Sequence, residues 1–349
     1  MTNKLTKLLG IDTPIFLGPF GGMSSVPLTA LVSDLGGVGA FGLYGYSADR
    51  IRETAVALRD ATDKPFGLNL WLPHNEDNPD GPHASFAEAS AALKPFFDEL
   101  GLDLPTEPPS YLPSFDDQFE AVLDARPAVL SFVFGVPRRE VVDAAHEESI
   151  LVVGAATTVD EAIALDGGGV DAIVATGLEA GGHRVSFLKR PEDSLVGNLA
   201  LIPQVVDAVG VPVIAAGGIV DRRGVAAAFA LGASGVQVGT AFLKTRESAA
   251  SQAHREAIGT ETSRETILTR AMSGRLARGI RNRAIREIET SGAIAPFPTQ
   301  NWLTGQFRPE AGRRNVGDLQ SLWMGQAAAL AKLDSAAAVF AELSEGLPD

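Results

Sequence analysis

The stretch EAGGH delivers His183 directly after two glycines, Gly181 and Gly182, at the end of an apolar run. Imidazole is the side chain best matched to proton transfer near neutral pH. Glycines before it let the backbone pass close to a flat ligand while the ring stays available to a substrate above. The plainer alternative is a histidine bonded within its own loop. Glu179 and Arg184 flank it. Glu179 either orients the imidazole or anchors the loop, anchoring being the better reading. Arg184 either attracts an anionic substrate or pairs with Glu179, and both readings stand.

Two further glycine-bearing turns, in AAGGIVDRRGV and GVQVGTAFL, put Gly217, Gly218 and Gly239 beside Thr240. Bare backbone N–H groups at such turns close around a phosphate, helped by the positive end of a following helix. The Thr240 hydroxyl adds a donor. Tight strand-to-helix turns are the alternative explanation. The spacing fits neither a Walker loop nor a GxGxxG after the first strand. A flat ring could lie on the side-chain-poor stretch Gly18, Pro19, Phe20 and Gly21, with Asn69 offering donor and acceptor to its edge. Asn69 could equally satisfy loop backbone.

The remaining candidates read as structural. His74 and His83, with Asp77 and Asp80, match no standard metal spacing, so no metal is expected and a solvated loop is the better reading. His146 and His254 read as helix-surface residues. Arg275, Arg278, Arg281 and Arg283 form a basic run in an acidic chain, which reads as a salt-bridged face rather than a nucleic-acid site.

These residues need a scaffold that brings them to one face. Eight short apolar runs read as strands: 14–18, 38–42, 65–71, 128–134, 149–154, 171–176, 212–217 and 235–239. Helical patterns fall at 24–35, 49–60, 138–147, 158–165, 198–209, 222–231 and 246–258. Strands apolar throughout, each followed by a helix, imply a parallel sheet covered on both faces. Eight such units predict a (β/α)₈ TIM barrel, with an open doubly wound sheet as the alternative. His183 and the glycine turns would then share the C-terminal face, where barrels place their phosphate and active sites. The expected organisation is a barrel over 1–258 with a proline-rich insertion at 73–117. An extension over 259–349 packs on the barrel rather than forming an independent domain, and carries a long helical pattern from about 318 to 347.

Composition limits the partners. The 349 residues carry a net charge of -14, which argues against nucleic acid and anionic membranes. At 45% hydrophobic and 21% charged residues the chain reads as globular. There is no cysteine, excluding disulfides, zinc-thiolate sites and thiol nucleophiles. No run approaches the ~18 apolar residues of a membrane span, and the N-terminus lacks a signal-peptide core. The protein reads as cytoplasmic, with oligomeric state not legible.

Taken together, GLEAGGHRVSF, VIAAGGIVDRRGVAAAFALGASGVQVGTAFL, SGRLARGIRN and SLWMGQAAAL resemble the nitronate monooxygenases, formerly 2-nitropropane dioxygenases. PIFLGP, NLW and SFVFG fit as well, so the resemblance runs from about residue 11 to 330. It implies an FMN-dependent (β/α)₈ barrel enzyme. The implied FMN contacts are Asn69, Gly181, Gly218, Gln237, Val238, Gly239 and Thr240, joining Gly182 and Gly217. His183 is implied as the base. Alkyl nitronates, or nitroalkanes after loss of the α-proton, are implied as substrates, with O2 completing conversion to a carbonyl compound and nitrite. Three positions depart from the family pattern: Thr176 replaces a glutamine near the flavin, Val185 a glycine, and Val133 a frequent histidine. Two other readings stay open. One is an NAD(P)H-dependent FMN reductase acting on a quinone or enoyl thioester. The other is a flavin-binding protein without turnover.

Overall fold

The apolar runs are strands because their side chains must be buried on alternate sides. In the computed structural model, which describes residues 3–74, 81 and 83–348, one set of strand residues fills the barrel interior: Phe16, Val38, Val129, Val153, Val174, Ile214 and Ala216. The intervening set, including Ile15, Leu17, Leu68, Leu70, Leu130, Val152, Ile173 and Val236, packs against the surrounding helices. Asp77 and Asp80 lie outside the described residues.

The barrel strands are β1 (Ile15–Leu17), β2 (Gly39–Gly42), β3 (Phe66–Trp71), β4 (Val129–Val133), β5 (Leu151–Ala156), β6 (Ala172–Thr176), β8 (Val213–Ala216) and β9 (Gly235–Val238). They pair in parallel in the order β1-β9-β8-β6-β5-β4-β3-β2. The ring closes where Leu17 N–H donates to the Val38 carbonyl (2.9 Å) and Val38 N–H to that of Ile15 (3.0 Å). The expected barrel is therefore the one observed. A second, antiparallel sheet lies outside this ring, in the order β10-β11-β7. It joins β7 (Gly182–His183) to β11 (Ala277–Ile280) and β10 (Thr266–Thr269).

Helices form where the expected periodicity meets a cap. Ala48–Ala61 starts at Ser47, whose hydroxyl accepts from Arg50 N–H, and buries Ile51, Ala55 and Leu58 on one face. Helix at 246–258 is restricted to Gln252–Ala257. The hydroxyls of Thr245 and Ser248 bond back to the Phe242 and Leu243 carbonyls, competing with a continuous helix.

The pattern at 318–347 is also not one helix, and only Ala336–Ser344 is regular α-helix. Upstream, the backbone has distant partners. Ile280 N–H donates to the Leu322 carbonyl, and Gln326 N–H to that of Glu179. Two further helices precede it in the extension, Arg283–Ser291 and Thr299–Arg313. Their buried faces (Ile285, Ile288, Leu303 and Phe307) pack with Leu93, Phe96 and Phe97 of helix Phe86–Leu100 in the insertion. Insertion and tail thus build a shared core beside the barrel mouth. No helix among the described residues is long and apolar enough to cross a membrane.

Candidate active site

Strand alternation decides which side chains reach the barrel mouth. In β3 and β4, Asn69 lies opposite Ser131 and Trp71 opposite Val133, both in the inward register. The same alternation places Thr176 at the end of β6 and Gln237 in β9 on the inner side. Asn69 is 3% exposed, and its Nδ2 donates to the Ser131 carbonyl (3.1 Å) and hydroxyl (3.0 Å). A carbonyl needs a donor, which fixes the amide orientation. Oδ1 is left with no donor among the described residues, so Asn69 offers a ligand its acceptor.

The glycine turns converge on one rim. Gly18 N–H donates to the Val238 carbonyl (2.9 Å), and a side chain on Gly18 would stand 3.1 Å from Gly239 Cα. The Phe20 ring lies against Gly239, while Pro19 and Gly21 complete the β1 exit. Gly217 and Gly218 follow β8. The N–H groups of Gly218 and Gly239 donate to no acceptor among the described residues. Thr240 Oγ1 accepts from Gly325 N–H (3.0 Å), leaving its own proton to donate. Open N–H groups, a hydroxyl proton and a buried amide oxygen form a donor and acceptor set that fits a phosphorylated heterocycle such as FMN.

The two glycines before His183 have different reasons. A Cβ on Gly181 would lie 2.5 Å from the Met324 carbonyl carbon, so this glycine admits the C-terminal chain. Gly182 has φ of +74° with open space where a side chain would point, the geometry expected of backbone facing a ligand. The loop is braced from behind. Arg184, 1% exposed, donates to the carbonyls of Gly177 (2.6 Å), Thr176 (3.2 Å) and Ser194 (3.2 Å). It is buried behind the loop and held by carbonyls, with the Glu179 carboxylate acting on it by charge alone rather than through a direct ion pair. Glu179 anchors, accepting from Asn198 N–H (3.0 Å). Glu161, fully buried, accepts from the N–H of Phe187 (2.6 Å) and Leu188 (3.2 Å).

His183 is half-buried, with Trp71 edge-on at 5.1 Å and Trp323 at 5.8 Å between ring centroids. Its Nε2 is 2.9 Å from Ser273 Oγ. The Ser273 proton goes to the Arg275 carbonyl (3.0 Å), so Oγ accepts and Nε2 carries the imidazole hydrogen. The lone pair therefore sits on Nδ1. Burial, then the guanidinium groups of Arg275 and Arg308, push the imidazole down to about 3. Arg275 is clamped between Phe134 (4.1 Å) and Phe297 (4.0 Å). Phe134 supports it from φ of 69°, an uncommon conformation for an aromatic residue.

Ser273, Arg275, Trp71, Tyr44 and the Met324–Gln326 turn were not foreseen in the sequence. The signal was present for Trp71, two residues beyond Asn69 on the same strand face. The basic run splits where the buried β11 segment ends. Arg281 and Arg283 form the expected surface pairs with Glu289 (3.9 Å) and Glu99 (2.7 Å), whereas Arg275 and Arg278 are buried. His254 is not a surface residue either. It is 2% exposed and donates to the Trp323 carbonyl (2.8 Å).

The sequence pattern of the nitronate monooxygenase family matches residues 2–346. The chain belongs to that family. It is 40% identical over 334 residues to a probable nitronate monooxygenase of Staphylococcus aureus, covering 94% of this chain and 92% of the relative. The crystal structure of nitroalkane oxidase from Streptomyces ansochromogenes superposes with a TM-score of 0.89 at 34% identity, over 98% of both chains. FabK from Thermotoga maritima superposes at 0.75 with 27% identity, over 98% of this chain and 95% of that one. As a nitronate monooxygenase family member, the chain is an FMN-dependent enzyme that oxidises nitronates or nitroalkanes. Its small-molecule substrate and O2 follow from the same membership. Of the family departures, Val185 is buried in the barrel interior and Val133 pairs with Trp71.

Proposed function

We propose that His183 is the base of this site, through Nδ1, and that the glycine rim holds FMN. The observation that carries the first part is the commitment of Nε2–H to Ser273, which leaves one lone pair on a neutral imidazole. Facing a neutral nitroalkane, Nδ1 accepts the α-proton and the substrate becomes a nitronate anion. The guanidinium groups of Arg275 and Arg308, which disfavour imidazolium in the free site, favour that anion. A nitronate added as such needs no proton removed.

For the cofactor, the proposed contacts are backbone at Gly18, Pro19, Phe20, Gly21, Gly181 and Gly182, and side chains at Asn69, Thr176 and Gln237. Gly217, Gly218, Val238, Gly239 and Thr240 would take its phosphate end. Bound FMN supplies the electron-accepting ring, and O2 completes conversion to a carbonyl compound and nitrite. We further propose a barrel over 1–258 and an extension over 259–349 that acts with it as one unit, a reading supported by the β7–β11 pairing. The absence of cysteine supports a cytoplasmic setting.

The test is anaerobic titration of the FMN-loaded protein with propyl-2-nitronate, read in the visible flavin spectrum, for the native chain and His183→Ala. Bleaching is expected in both. The variant should retain FMN and lose roughly 10²–10⁴-fold of nitroalkane turnover, with nitronate turnover much less affected. Loss of flavin together with activity would make His183 structural. An unbleached native flavin would overturn nitronate oxidation and make NADH and NADPH the donors to try.

A further inference from the structure

Beside the mouth lies a cavity of about 400 Å³ that none of the residues proposed to hold FMN lines. It therefore remains available when the cofactor is in place. It meets the site through Trp71, whose other edge faces His183, and through Arg275, whose charge acts on that imidazole. Its wall is an aromatic group. Tyr44 and Trp71 lie 4.4 Å apart between centroids, and Trp71 and Phe297 are stacked at 29° and 5.8 Å. Burial pushes the Tyr44 phenol up to about 12, so it stays neutral. Leu112 and Phe115, at the end of the insertion, also line it.

We infer that this cavity receives the substituent of the substrate, and that the preferred nitronate bears a flat aromatic group. The inference rests on the nitronate reading above. A cavity of this size falls in the range that holds whole ligands, about 300–1,000 Å³. Methyl or ethyl groups would leave most of it as poorly filled apolar space. Ring-lined walls favour an aromatic guest through offset and edge contacts. Pro73, Pro113, Pro296 and Pro298 border the cavity and limit its collapse around a small one. Arg275 supplies the cationic side toward which the nitronate group points, while the ring occupies the Leu112 side.

The experiment compares two pairs of probes on the FMN-loaded enzyme. Oxidation of phenylmethane nitronate is set against that of propyl-2-nitronate, by kcat/KM. Phenylacetate and isobutyrate, carboxylates of matching shape that are not oxidised, are compared by calorimetric affinity. Preference for the phenyl member is expected to be about tenfold or more in each pair. Leu112→Trp, which fills part of the cavity, should abolish that preference by lowering kcat/KM for phenylmethane nitronate about tenfold more than for propyl-2-nitronate. Leu112→Ala should keep it. Equal binding of the two acids, or equal losses for both nitronates in Leu112→Trp, would overturn the inference. If neither nitronate is oxidised yet phenylacetate binds tenfold tighter and Leu112→Trp removes the difference, the reaction has been misassigned and the cavity's role stands.

Discussion

At His183 the ring nitrogens are made unequal by one hydroxyl. Ser273 spends its proton on the Arg275 carbonyl and so can only accept from the imidazole. Ser273→Ala removes that acceptor and releases the ring to either tautomer. Turnover of a neutral nitroalkane should fall about tenfold, with nitronate oxidation unchanged and Ser273→Thr restoring most of the loss. Parallel assays on the two substrate forms check this, because a general disturbance of the site would lower both. His183 stood out in the sequence because two glycines precede it; in the structure Gly181 admits the C-terminal chain, and Gly182 alone opens onto free space. Ser273 and Arg275 were hidden within SGRLARGIRNR, where charge density resembles a solvated face. Residues 271–279 are continuously buried and exposure returns only at Arg281, so only knowledge of the β7–β11 pairing separates Arg275 and Arg278 from Arg281 and Arg283.

Among the elements, the eight barrel strands were legible because a run apolar on both faces has few other places to go. Their helices followed from period and caps. The tail was misread because its Ala- and Leu-rich pattern fits a helix locally, while its backbone partners lie far away at Glu179 and Ile280. The insertion and tail helices carry regular apolar faces, but each is the other's partner, so neither announces a core alone. Gly181 records the join. Gly181→Ala would press a methyl group into backbone at Met324 and Gly325, displacing the turn that reaches Thr240. A cost of ~1–3 kcal/mol in stability is expected, accompanied by weaker FMN retention. Thermal midpoints and flavin release on dilution measure the two effects.

For the whole molecule, acid should be the weak side. His254 is buried and neutral, pushed down to about 4 chiefly by burial, and His183 behaves likewise at about 3. Folded imidazoles that resist protonation bind fewer protons than the unfolded chain below its ordinary value of 6.5. Stability is therefore full above that value and is lost as pH falls toward about 4. His254→Gln can still donate to Trp323 and should remove part of the loss, on the order of 3 kcal/mol at most. Urea midpoints at neutral pH and at mildly acid pH, for the native chain and the variant, give the difference directly. The pairing of β7 with β11 has one more consequence, in the order of events during synthesis. The histidine leaves the ribosome long before the serine that orients it and the turn that packs on its glycine. A nascent chain that has completed all eight barrel strands still lacks the partners of His183 and Gly181, so the proposed catalytic centre is completed only when its last quarter arrives.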